Sequence, residues 1–174
     1  ERIWPAFEHI DTSSGALGTA VYRTLETLTP ILIDAPAGKA TRSTWLERLR
    51  TAIEEDGVQY LDPLSERFGE IAGYADLMNK HADRDLEMIR FAWADHSAFA
   101  FLSSSTLTLS CLLQAGRHDD LVELVALRQR RSWGEDRFIA KSLAAQGRED
   151  EALAFADSLL AEESHPSGYA EIIR

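Results

Sequence analysis

The chain is predicted to be all-α. Antiparallel helix hairpins form an α–α superhelix or solenoid in the second half, and the first half is irregularly helical. Three observations predict this. Apolar residues recur at helical spacing along most of the 174 residues. No series of segments alternates apolar and polar as strands do. A Gly-Arg-acidic corner occurs twice, at Gly116-Arg117 and at Gly147-Arg148, 31 residues apart.

Taken in order, Leu17, Val21, Leu25 and Leu28 share one face of a helix over 17–28. Ile31-Leu32-Ile33 is the best strand candidate, but it follows Pro30. With Thr29 as N-cap and Pro30 in the first helical position, it reads as a new helical turn. Pro36 and Gly38 make 34–42 a loop. Thr44 followed by Glu47 has the spacing of a capping box, opening a helix with the stripe Trp45, Leu46, Leu49 and Ile53 that ends at Asp56-Gly57. Asp62-Pro63 starts a short helix with Leu64, Phe68 and Ile71 on its face, loosened by Gly69 and Gly73. A long helix over 75–94 carries Leu77, Met78, His81, Ala82, Asp85, Met88, Ile89 and Trp93. Helices then follow regularly over 98–114, 119–130, 135–146 and 149–162. Pro166 and Gly168 break the chain before a stub that begins at Tyr169.

Two regions of one continuous domain result: an irregular helical part over 1–96, and repeats over 97–174 packed against it. At each corner, glycine accepts the left-handed conformation that stops a helix. The acidic residues that follow meet the positive end of the next helix dipole. The short turn sets the two helices antiparallel, and each pair keeps an apolar face that only a neighbouring pair can cover.

Residues 97–166 resemble a tetratricopeptide-like repeat. In the second unit Ala140, Leu143, Gly147, Ala152, Ala156 and Leu159 fall where that family places small or apolar packing residues, with Pro166 after the unit. In the first unit Leu109, Leu112, Gly116, Leu121 and Val125 match the same pattern, while Arg128 departs from it. The resemblance implies a scaffold whose concave face holds a peptide or partner protein.

Composition narrows the function. A net charge of −11 disfavours phosphate backbones and anionic lipid, so neither nucleic acid nor a membrane is an expected partner. No run approaches the length of a membrane span. The single cysteine, Cys111, lies in an apolar run and reads as a small buried hydrophobe. With no visible signal segment, a cytoplasmic location is the expectation.

No phosphate loop, dinucleotide fingerprint, Gly-x-Ser-x-Gly or His-Glu-x-x-His is present. Catalytic residues, metal ligands and cofactors are therefore all assigned as none. One sharper alternative is a metal-dependent hydrolase of the HD type. It would draw ligands from His81 or His96, from His118-Asp119, and from Asp150 or Asp157. Helix capping also explains His118-Asp119, because the pair aligns with Glu149-Asp150 in the second corner. Another alternative is a structural helical segment of a longer protein. The interaction surface expected from sequence is the one basic cluster, Arg128, Arg130 and Arg131 followed by Trp133, suited to bidentate carboxylate or phosphate contacts. Ser103–Ser105 with Thr106 suggest capping or tight helix packing, and at least three of the four tryptophans are expected in the core. The leading expectation is a non-catalytic helical scaffold for a protein or peptide, with weak self-association through an uncovered solenoid end.

Overall fold

A computed structural model describes residues 16–56, 60–95, 102–128 and 132–163. Nine helices and no strand occur among the described residues: α1 (Ala16–Asp34), α2 (Lys39–Glu54), α3 (Asp62–Glu66), α4 (Phe68–Ala72), α5 (Ala75–Ala94), α6 (Ser104–Gln114), α7 (His118–Ala126), α8 (Trp133–Ala145) and α9 (Glu149–Glu163).

The centre of the fold is α6. It packs against α2, α3, α4, α5, α7 and α8. A helix enclosed on all sides cannot be amphipathic, and residues 107–112 are buried without interruption. The hydroxyl-rich sequence of α6 suits that position, because small side chains let other backbones approach closely. At Gly69 the approach of α4 is so tight that a Cβ would stand 2.3 Å from the Ser110 carbonyl oxygen. The Gly69 N–H donates to Ser110 Oγ at 2.9 Å, and that hydroxyl donates to the Glu66 carbonyl at 2.9 Å. Gly69 is therefore a packing point rather than the loose position its sequence context suggests.

One apolar cluster joins Leu46, Phe68, Ile71 and Trp93 to Leu107, Leu112, Leu121 and Phe138. It runs across the boundary at 96/97, which itself lies outside the described residues. Both Gly-Arg corners stand between helices. Gly116 (φ 71°) and Gly147 (φ 75°) are left-handed. The Arg117 N–H bonds the Leu112 carbonyl at 2.9 Å, and the Arg148 N–H bonds the Leu143 carbonyl at 3.0 Å. These are the long bonds of a Schellman ending. Each corner arginine then pairs with the acid three residues on, Asp120 and Glu151.

Four local expectations are corrected. The first helix runs unbroken through Pro30 to Asp34, and Thr29 caps nothing; its hydroxyl bonds the Leu25 carbonyl at 2.6 Å. A proline inside a helix forfeits one backbone bond, and Pro30 is exposed, where solvent can take the freed carbonyl. The loop after α1 is only 35–38, because α2 begins at Lys39 with Gly38 as N-cap. Thr44 consequently lies in mid-helix, bonded to the Ala40 carbonyl, and Glu47 bonds Lys80 and Arg84 instead of closing a capping box. The Asp62-Pro63 helix is split at Arg67 into α3 and α4. The bounds of α5 are as expected, and Met88 on it is 50% exposed.

Candidate functional site

α2 builds the site from two of its faces. Arg42, Leu46, Arg50 and Ile53 recur at helical spacing and are buried towards the core. The neighbouring stripe, Trp45, Leu49 and Ala52, is half-buried and lines a pocket of about 650 Å³. Leu32 of α1, Leu61, Leu64 of α3 and Ile71 of α4 complete its apolar lining; Arg48, Thr51 and Glu55 form the polar part.

The space exists because α1 and α2 follow one another in sequence without packing closely together. α1 rests on α3 and α4. The buried Arg42 guanidinium fixes that arrangement. It donates to the carbonyls of Ile71 (2.6 Å), Ile33 (2.8 Å) and Ala35 (2.8 Å), tying the end of α1 and the start of α2 to the end of α4. Peptide carbonyls at helix ends need such donors, and a fork of five N–H groups can serve several at once.

Beneath α2 lies a buried polar network. Arg50, 1% exposed, pairs with Asp85 and donates to the His81 carbonyl at 3.2 Å. Its guanidinium carbon stands 5.8 Å from the centre of the Phe68 ring, which His81 meets edge-on at 5.2 Å. Burial, and then the charge of Arg50, pushes the His81 imidazole down to about 4. The ring is therefore neutral near pH 7. Burial pushes the Cys111 thiol up to about 12, so it is protonated and shielded. At the surface beside this network, the hydrogen bond from Lys80 holds the Glu47 carboxyl below its usual range. The network holds α2 to α5. Its imidazole and thiol are closed off from solvent, which is not the setting of a nucleophile with an accessible base.

The residues singled out from sequence are dispersed. Arg128 turns inward, its guanidinium ion-paired with Glu135 at 2.9 Å and lying 5.3 Å from the Trp93 ring centre. Trp133 is 42% exposed at the start of α8, and Arg130 and Arg131 lie outside the described residues. His118 Nδ1 lies 2.8 Å from Ser142 Oγ, in a bond between α7 and α8. Asp119, Asp150 and Asp157 are exposed, and His96 is outside the described residues. Among the described residues no group of three or more His, Cys, Asp or Glu side chains is placed to hold a metal ion. Of the tryptophans, Trp93 is buried, Trp45 is half-buried at the pocket and Trp4 is not described. Three core anchors are thus not found among the described residues.

Sequence reasoning missed the pocket and the buried pair. One signal was available for the pair: Arg42 and Arg50 fall in register with Leu46 and Ile53, so two cations occupy an otherwise apolar stripe. The pocket had none, since it depends on which helices α1 leans against.

Fold and site together define an all-helical protein with a half-open apolar pocket on one side. No described helix is long and apolar enough to cross a membrane. No family model matches the chain, and neither the curated proteins nor the solved structures give a significant match.

Proposed function

We propose that the chain is a non-catalytic helical scaffold that binds a partner protein or peptide, and that the pocket between α1 and α2 receives the partner's apolar side chains. The observation that carries this reading is the half-open cavity of about 650 Å³ with a mainly apolar lining. Concave apolar surface edged by a few polar groups is the usual form of a recognition site. Its polar lining is Arg48, Thr51 and Glu55.

The repeat reading of the second half is part of the proposal. α6 and α7 meet at one Schellman corner, and α8 and α9 at the other. α8 packs on both helices of the first pair, as nested hairpins require. Similarity to tetratricopeptide-like repeats rests on this arrangement and on the two corners. The basic cluster near Trp133 is a weaker site, because Arg128 is spent on Glu135 and Trp93.

Selection from a random peptide library against the intact chain tests the function. Enriched peptides should bind the parent protein and lose affinity for Ala52→Phe, which fills the pocket. A phosphoester hydrolase activity that needs a divalent metal and is lost in His118→Ala would replace this reading with the enzymatic alternative.

A further inference from the structure

The charge distribution around the pocket narrows the partner, given the binding reading just proposed. α2 ends beside the pocket at Glu54, followed by Glu55 and Asp56, with no basic residue in its last turn. A helix C-terminus already carries partial negative charge, so carboxylates there are repelled and cations are favoured. Glu54 leans towards Arg50 at 3.6 Å. Glu55 is exposed, lines the pocket and has no ion-pair partner among the described residues. Arg48, the cation on the same wall, is engaged inside the chain. The whole protein carries −11, so the surrounding field has the same sign.

The apolar wall has a shape as well as a sign. Trp45, Leu49 and Ala52 follow one another at helical spacing along α2, a straight row about 10 Å long. Across from them Leu32 continues outward into Leu28, which is 46% exposed and one turn earlier on α1. An apolar row on α2 facing Leu32 of α1 across an open space matches the apolar face of a helix, whose side chains recur with the same rise.

We infer that this groove takes a cationic amphipathic helix from a partner protein: apolar side chains enter between α1 and α2, and lysines or arginines meet Glu55, Glu54 and the α2 C-terminus. Burial of the apolar face supplies most of the affinity, and the charge complementarity supplies encounter rate and selectivity.

The test uses the intact chain and two short synthetic peptides with leucines at helical spacing, one filled with lysine and the other with glutamate. Fluorescence anisotropy of labelled peptide reads the affinity, and circular dichroism reads the folding of each variant. The leucine–lysine peptide should bind one to one, about tenfold or more tighter than its leucine–glutamate counterpart, and more weakly as salt rises. Ala52→Phe should weaken it about tenfold, and Glu55→Lys, at an exposed position that leaves packing untouched, several-fold. Equal binding of the two peptides, both lost in Ala52→Phe, overturns the cationic assignment and leaves the scaffold reading intact. Binding of the lysine peptide that neither variant weakens is general adhesion to an acidic protein and overturns it too. If a peptide of residues 1–15 or a second copy of the chain fills the groove and the lysine peptide cannot displace it, the occupant is the chain itself. Binding of no peptide at all removes both readings.

Discussion

Replacing Gly69 by alanine adds one methyl group where two helices nearly touch. The new Cβ would stand 2.3 Å from the Ser110 carbonyl oxygen, 2.8 Å from its carbon and 2.9 Å from Gln114 Cγ. The glutamine can swing away; the backbone of α6 cannot, because five helices besides α4 hold it. Ordinary contact begins near 3.4 Å, so α4 must retreat by about 1 Å. Overpacking of this kind costs about 1–3 kcal/mol. The retreat also breaks the buried bond from the Gly69 N–H to Ser110 Oγ, at about 1–3 kcal/mol for groups left unpaired. Together they predict a loss of about 2–6 kcal/mol. With a urea slope of about 2 kcal/mol/M, the unfolding midpoint falls by about 2 M. Gly116→Ala is the control: nothing lies within 4 Å of its Cβ, and only the left-handed φ of 71° opposes it, at about 1–2 kcal/mol. Urea titration followed by circular dichroism compares the two. A midpoint for Gly69→Ala no lower than that of Gly116→Ala would refute the close crossing of α4 and α6.

Three further outcomes follow from the buried network. Asp85→Asn leaves Arg50 charged and enclosed, so thermal unfolding should report a loss of about 3–5 kcal/mol; replacing Arg50 by Met as well should recover part of it, and strictly additive losses would deny the pairing. His81 is held down to about 4 in the folded chain, against about 6.5 when unfolded. Between those values the unfolded chain binds a proton that the folded chain refuses. Stability is therefore complete above pH 6.5 and declines as pH falls towards 4, by about 3 kcal/mol. Urea midpoints across that range should decline less in His81→Gln than in the parent, and parallel slopes would exclude His81 as the source. Cys111, with its thiol pushed up to about 12 by burial, should resist a thiol reagent until denaturant is added; rapid labelling of the native chain would mean that α6 opens readily.

What the sequence determined by itself was local. Spacing of apolar residues located the long α5, and glycine followed by arginine and acids located both corners, because helix period and left-handed glycine need only a few neighbouring residues to show themselves. Boundaries failed where distant groups competed with local signals. Thr44 and Glu47 have the spacing of a cap, yet Lys80 and Arg84 of α5 claim Glu47, and the Arg42 guanidinium ties the start of α2 to carbonyls of α1 and α4. The basic cluster was legible as charge, but the turning of Arg128 towards Trp93 was not. Only tertiary structure made Gly69 a contact point, enclosed α6 on all sides and left a pocket between α1 and α2. A cavity belongs to the relative placement of several helices. That placement is set by long-range packing and by carbonyls seeking donors, which no short window of sequence contains.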